Sequence, residues 1–156
     1  MSSRRLAILF SVLVTLVVAA CSTGAAATGS PSASATGTLT VTGAWVRAAA
    51  AGKDTAAYFT IENGTSSDDT LVGASTTIAG GAGLHQTTTD ASGMTGMHMT
   101  ESVKVAAGGT VQFAPGGYHV MLTALTAELK AGDKVVLQLA FEHAGVVKVT
   151  CEVRTS

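Results

Sequence analysis

The chain has 156 residues, of which 47% are apolar and 12% charged, with nine basic and ten acidic side chains. This length is too short for two ordinary cores, so it favours one secreted or anchored globular domain over a multidomain enzyme. A formal charge of −1 supplies no basic field of the kind that nucleic-acid binding requires, and we expect no nucleic-acid partner.

The first twenty residues are typical of a targeting segment. Arg4 and Arg5 precede an apolar run, LAILFSVLVTLVVAA, which ends in small residues and is shorter than the roughly 20 residues that a membrane-spanning helix needs. The sequence Val-Ala-Ala-Cys that ends at Cys21 resembles a bacterial lipobox, in which the cysteine receives a diacylglycerol and the chain is cut before it. We predict a lipoprotein signal peptide at residues 1–20 and lipidation of Cys21. The alternatives are an uncleaved anchor and an ordinary secretory signal.

A tether is predicted to follow Cys21. Residues 22–37, STGAAATGSPSASATG, cannot bury enough apolar surface to become ordered, so residues 21–37 are interpreted as the lipidated cysteine and a flexible linker. With Cys21 carrying lipid, Cys151 has no partner for an intramolecular disulfide. The domain predicted at residues 38–156 must then be stabilised by its core alone, and it is long enough for that.

Apolar and polar residues alternate with a period of two through most of this domain, most clearly from Val147 to Arg154, which predicts β-strands. Cys151 lies on the apolar face of that last strand and is expected to be a small buried hydrophobic residue. Only residues 123–130 could hold a helical turn or two. The other predicted strands, separated by glycine-rich turns, are 39–42, 56–62, 70–75, 83–88, 110–113, 118–123 and 134–142. So many short strands predict an all-β Greek-key sandwich or barrel.

Methionine and histidine are clustered in a way that core residues would not be. Each of the four methionines after the initiator lies within four residues of a histidine: Met94, Met97, Met99 and Met121. Of the four histidines, only His143 lies outside the same stretch. Imidazole and thioether groups together are ligands for a soft, monovalent metal, and they indicate Cu(I).

One candidate pair lies on a single predicted strand. Alternation puts His119 and Met121 on one face and Tyr118, Val120 and Leu122 on the other. Side chains at positions i and i+2 are about 6.5 to 7 Å apart along a strand, a distance that two side chains can close onto one ion. The alternative is that His119 is simply exposed and Met121 caps a second layer of the sandwich.

A second cluster, GMTGMHM at residues 93–99, contains glycines that favour a loop or a hairpin edge over a core strand. Strand parity would separate Met97 and Met99 from His98. Gap filling by flexible methionines is the alternative. His85 could supply a fourth ligand, although a lone histidine at the start of a strand is more often an ordinary surface residue. Because uncharged ligands leave the ion with a charge of +1, which is costly to bury, we expect the site near the surface.

The spacing of these residues resembles a known family. His85-Gln86, ten residues, Met97, twenty-one residues and His119-Val120-Met121 are similar to the H(M)x10Mx21HxM signature of the periplasmic copper chaperones called PCu(A)C. Further similar segments are AWVR at 44–47, AYFTIEN at 57–63, PGGYHVML at 115–122 and GDKV at 132–135. The resemblance implies a cupredoxin-like β-barrel or sandwich. It also implies the Cu(I) ligands His85, Met97, His119 and Met121.

The chain departs from that family at two places. Gln86 replaces the optional methionine after the first histidine, while Met94 and Met99, together with His98, offer auxiliary ligands from the neighbouring cluster. Some relatives carry a His- and Met-rich tail thought to take a second, cupric ion, whereas this chain stops at Ser156. We therefore expect one copper per chain.

The predicted function is that of an extracytoplasmic Cu(I) chaperone, anchored by lipid in the bacterial cell envelope and monomeric. The resemblance implies that its recipient is the CuA centre of cytochrome c oxidase or a Sco-type carrier. A blue-copper protein would need a cysteine ligand with a histidine close behind it, and Cys151 has none. No arrangement typical of an enzyme is present. The alternative is an envelope lipoprotein whose β-sandwich domain binds protein or is structural, with no metal role.

Overall fold

The structure, a computed structural model, describes residues 36–155, and every secondary-structure element assigned within them is a β-strand. The predicted signal peptide, Cys21 and most of the predicted tether lie outside the described residues. Thr36 and Gly37, which were predicted to belong to the tether, instead begin β1, where Thr36 is paired with Thr65 of β2. The strands are β1 (Thr36–Arg47), β2 (Thr55–Thr65), β3 (Asp69–Ser75), β4 (Ala79–Thr89), β5 (Thr95–Met99), β6 (Val103–Val105), β7 (Thr110–Phe113), β8 (Tyr118–Leu125), β9 (Lys134–Phe141) and β10 (Gly145–Arg154).

The all-β prediction is confirmed, and each predicted strand corresponds to an observed one. β5 and β6 were not predicted as strands. β5 forms an edge of the sheet, so of the two alternatives for residues 93–99, a loop or a hairpin edge, the structure shows the hairpin edge. Residues 123–130 contain no helical turn. The reason is that Leu125 and Leu129 are buried in the core, and their backbone N–H groups donate to the carbonyls of Lys53 and Ala49 instead of to a preceding turn.

The ten strands form one hydrogen-bonded sheet in the order β5-β4-β8-β7-β2-β1-β10-β9-β3-β6, and β8 also pairs with β2. Pairing is antiparallel except between β1 and β10 and between β7 and β8. β3 and β4 contact each other without a pairing in the sheet, which brings its two halves together around a single apolar core. The largest fully buried side chains of this core include Phe59, Phe113, Ile61, Leu71, Leu122, Leu137 and Leu139.

Cys151 is buried in that core with no exposed surface and forms no disulfide, as its place on the apolar face of β10 predicted. Burial raises the pKa of its thiol to about 11, because the thiolate would have to be desolvated. The side chain is therefore a packing residue that stays protonated at neutral pH.

A buried carboxylate organises the turn between β9 and β10. Asp69 is 5% exposed and accepts backbone N–H groups from Thr70, His143 and Ala144 at 2.7 to 3.0 Å. Burial acts to raise the pKa of Asp69, but these hydrogen bonds outweigh it and the pKa lies below its ordinary value.

Within residues 36–155 there is no helix with the length and apolar character needed to cross a membrane.

Candidate metal centre

Three neighbouring strands, β5, β4 and β8, position the predicted ligands. His85 on β4 lies directly opposite Met99 on β5 and directly opposite His119 on β8. Residues paired directly across strands point to the same face of a sheet. Met99, His85 and His119 therefore form one row across the three strands.

The other candidate ligands lie on the same face. Met121 is two residues beyond His119 on β8 and is paired with Gly83, while Met97 is two residues before Met99 on β5 and is paired with Thr87. Alternation along each strand then puts these sulfurs on the side of the histidine row. The structure thus brings His85, Met97, His119 and Met121 together, with Met99 beside them.

His119 and Met97 are in direct contact, with their Nε2 and Sδ atoms 3.3 Å apart. The other ring nitrogen of His119, Nδ1, is 3.1 Å from the carbonyl oxygen of Gly117. Because a carbonyl oxygen can only accept, Nδ1 is the donor in this hydrogen bond, and the neutral tautomer that makes it leaves the lone pair of Nε2 available to a metal. With zinc-like bond lengths of about 2.0 Å to nitrogen and 2.3 Å to sulfur, two ligands of one tetrahedral ion lie about 3.5 Å apart. The observed separation fits a shared ion.

His85 lies beside this pair, with its ring centroid 5.8 Å from that of His119. Its Nδ1 is buried and has no hydrogen-bond partner among the described residues, and its Nε2 would be 3.5 Å from a Cβ atom built on Gly83. Burial, and then the charge of His119, lower the pKa of His85. The imidazole is therefore neutral at pH 7, which is the form that binds metals.

The cluster has a buried base and an exposed rim. His119 is 3% exposed, whereas Met97 is 53% and Met99 75% exposed. Residues 36–155 contain no group of three or more His, Cys, Asp or Glu side chains that could hold a metal ion. Any metal held on this face would therefore depend on thioether sulfur, which favours a soft ion such as Cu(I).

The remaining histidines and methionine lie elsewhere. His98 is paired with Gln86 on the opposite face of β5, as parity predicted, and it lines a separate cavity of about 210 Å³ together with Met94. His143 lies 3.4 Å from Asp69 at the β9–β10 turn. The structure therefore places Met99, but neither Met94 nor His98, beside the histidine row.

Sequence reasoning did not place three residues of β1 and β2 near this face. The ring of Tyr58 is 6.3 Å from that of His119, and Trp45 packs on Tyr58 at 4.5 Å. Arg47 lines a cavity of about 350 Å³ that Met97, His119 and Met121 also line. The only sequence signal was that all three occur in segments similar to the family, since nothing local indicates which strand lies beside β8.

The all-β domain is similar to solved structures of PCuAC domains. The apo PCuAC domain from PmoF1 is 27% identical, with a TM-score of 0.66 over 77% of this chain and 96% of that chain. The solution structure of CuI-DR1885 from Deinococcus radiodurans is 35% identical, with a TM-score of 0.62 over 80% and 83%. The fold is the cupredoxin-like β fold of these domains.

Residues 39–153 match the family described as "Putative lipoprotein LpqE-like". "Putative lipoprotein Lxx21020" of Leifsonia xyli subsp. xyli (strain CTCB07) is 36% identical over 114 residues, which are 73% of this chain and 68% of that protein. The chain belongs to the LpqE-like family, which is of the PCuAC type. The resemblance predicted from the ligand spacing is confirmed.

Proposed function

We propose that this protein is an extracytoplasmic copper chaperone and not an enzyme. It holds one Cu(I) through two imidazoles and two thioethers, those of His85, Met97, His119 and Met121. The observation that carries the proposal is the 3.3 Å approach of Nε2 of His119 to the sulfur of Met97, while Nδ1 of the same ring lies 3.1 Å from the carbonyl oxygen of Gly117. The similarity to a protein solved in a form named CuI-DR1885 supports the choice of ion.

This ligand set suits a carrier outside the cytoplasm. Thioethers favour Cu(I) over Cu(II), need no deprotonation and cannot form the disulfides that would remove thiolate ligands in an oxidising compartment. Their weakness is oxidation to the sulfoxide. All four ligands are uncharged, so the bound ion keeps its charge of +1 and an incoming thiolate can compete for it.

The location and the recipient are part of the same proposal. Residues 1–20 act as the signal peptide, Cys21 receives the lipid, the tether ends where β1 begins at Thr36, and the β-domain carries copper at the bacterial cell envelope. The lipoprotein names of the family and of the Leifsonia relative support this arrangement. The recipient is the CuA site of cytochrome c oxidase, reached directly or through a Sco-type carrier.

Competition for Cu(I) with a chromogenic chelator tests the proposal. The wild-type chain should bind one Cu(I), and the double variant His119→Ala/Met121→Ala should lose the site. Met94→Ala, on a methionine that is 70% exposed and lines the separate cavity, is the matched control and should retain it. X-ray absorption should find equal numbers of nitrogen and sulfur neighbours. Full retention in the double variant would favour an envelope lipoprotein with a protein-binding or structural β-domain and no metal role.

A further inference from the structure

A cavity of about 350 Å³ opens beside the candidate ligands on the side of β1 and β2. Its lining includes the candidate ligands Met97, His119 and Met121 together with Arg47, Asp54 and Ala56. Its volume falls within the range of sites that take small molecules, about 300 to 1,000 Å³. His85 does not line it, so the cavity reaches three of the four candidate ligands.

The strand register places Arg47 in line with Met121. Val46 on β1 is paired with Ala57 on β2, so Arg47 is opposite Ala56, and Ala56 is in turn paired with Met121 on β8. Neighbouring strands are about 4.8 Å apart, which puts the backbones of Arg47 and Met121 about 10 Å apart. Only the methyl group of Ala56 separates them in this row, so a small molecule can contact both side chains.

The charge of Arg47 is not compensated. The structure gives Arg47 no ion pair with any of residues 36–155, and its register partner on β10 is a second cation, Arg154. Arg154 itself forms a salt bridge with Glu152, with an N–O distance of 3.0 Å. Like charges directly opposite each other on paired strands are destabilising. The one acidic residue that lines the cavity, Asp54, accepts the backbone N–H of Ala124 at 2.9 Å.

We propose that this cavity admits a small thiol that also carries a carboxylate, which removes Cu(I) from the site while Arg47 binds the carboxylate. The inference rests on the proposed function. In the first exchange a bond forms between Cu(I) and the thiolate sulfur, and a bond from Cu(I) to a methionine sulfur breaks. A second thiolate then replaces the remaining three protein ligands, and copper leaves as a two-coordinate Cu(I) bis-thiolate. Both thiol protons pass to solvent and no electron is transferred.

The test compares N-acetylcysteine with its uncharged amide as acceptors of Cu(I). The full chain, loaded with one Cu(I) and carrying Cys21→Ala to remove a competing thiol, is mixed with each acceptor and the rate of copper loss is measured. The ratio of the two rates is then compared between variants, so that the intrinsic reactivity of each thiol cancels. Arg47→Gln is the test variant and Arg47→Lys retains the charge. Lys53→Gln removes a nearby cation that does not line the cavity.

We expect Arg47→Gln to lower the carboxylate-to-amide ratio about two- to fivefold, the effect of an exposed ion pair, with Cu(I) affinity unchanged. Arg47→Lys should keep most of the wild-type ratio, and Lys53→Gln all of it. An unchanged ratio in Arg47→Gln, or an equal fall in Lys53→Gln, would overturn the inference but leave the copper site intact. If Arg47→Gln does not fold, the salt dependence of the wild-type ratio is the test. The carboxylate-to-amide ratio must decrease as the salt concentration is raised from about 0.02 to 0.5 M, and a constant ratio overturns the inference. Failure of the wild type to bind Cu(I) would refute the proposed function itself.

Discussion

Gly83 leaves room for the ring of His85, and replacing it with valine should weaken copper binding without destabilising the domain. Gly83 lies inside β4, opposite Met121, and a Cβ atom there would be 3.5 Å from Nε2 of His85 and 3.7 Å from its Cδ2. A glycine within a strand often marks a place where another group approaches closely. Here the approaching group is the imidazole.

The size of the effect follows from these distances. Alanine at position 83 would make only an ordinary contact, whereas the γ carbons of valine extend about 1.5 Å further and fill two of the three positions around Cβ. A γ carbon directed at the ring would come within about 2 Å of it, well inside the 3.5 to 4 Å of normal contact, and the ring must turn away. Misorienting a ligand of this kind costs about 10- to 100-fold in metal affinity, or about 1.4 to 2.7 kcal/mol.

Cu(I) competition and urea unfolding on the same samples separate binding from stability. Gly83→Val should bind Cu(I) about 10- to 100-fold more weakly, and Gly83→Ala should bind almost as the wild type does. Gly73→Val is the matched control, because it lies in β3 and a Cβ atom there has no neighbour within 4 Å. Both valines should leave the free energy of unfolding unchanged or raise it, by up to about 1 kcal/mol, since valine suits a strand better than glycine. Equal Cu(I) affinity in Gly83→Val and Gly73→Val would refute the reasoning.

Burial, and then the neighbouring His119, lower the pKa of His85, so Cu(I) affinity should hold through neutral pH and weaken only in acid. A chelator titration that stays flat over the whole acid range in which the domain remains folded would contradict ligation by histidine. Asp69→Asn should lower the free energy of unfolding by about 1.5 to 3 kcal/mol, while the exposed Asp68→Asn costs less. Because the pKa of Asp69 is lowered on folding, its contribution to the free energy of unfolding is complete above about pH 4 and is lost as pH falls through the folded-state pKa. Urea unfolding at several pH values measures this loss. Cys151 should resist a thiol reagent until the domain unfolds, because its burial keeps the thiol protonated; rapid labelling of the folded domain would show that β10 opens locally.

The sequence alone determined the class of the fold and one half of the candidate site. Period-two alternation is a property of neighbouring residues, so the β-strands could be identified without knowing their partners. The same alternation placed His119 and Met121 on one face of β8. It did not decide between a loop and a hairpin edge for residues 93–99, because glycines and methionines are typical of a loop and pairing with β4 supplies the regular structure.

Only the tertiary structure decided which strands are neighbours, and therefore which distant residues meet. Strand register is set by hydrogen bonds between segments far apart in the chain, and a shift of one residue would send every side chain to the other face. That register puts Met99 opposite His85, leaves His98 on the far side and brings Arg47 into the row that ends at Met121. Which side chains of one strand share a face follows from the local sequence, whereas the proximity of two strands depends on how the whole sheet closes around its core.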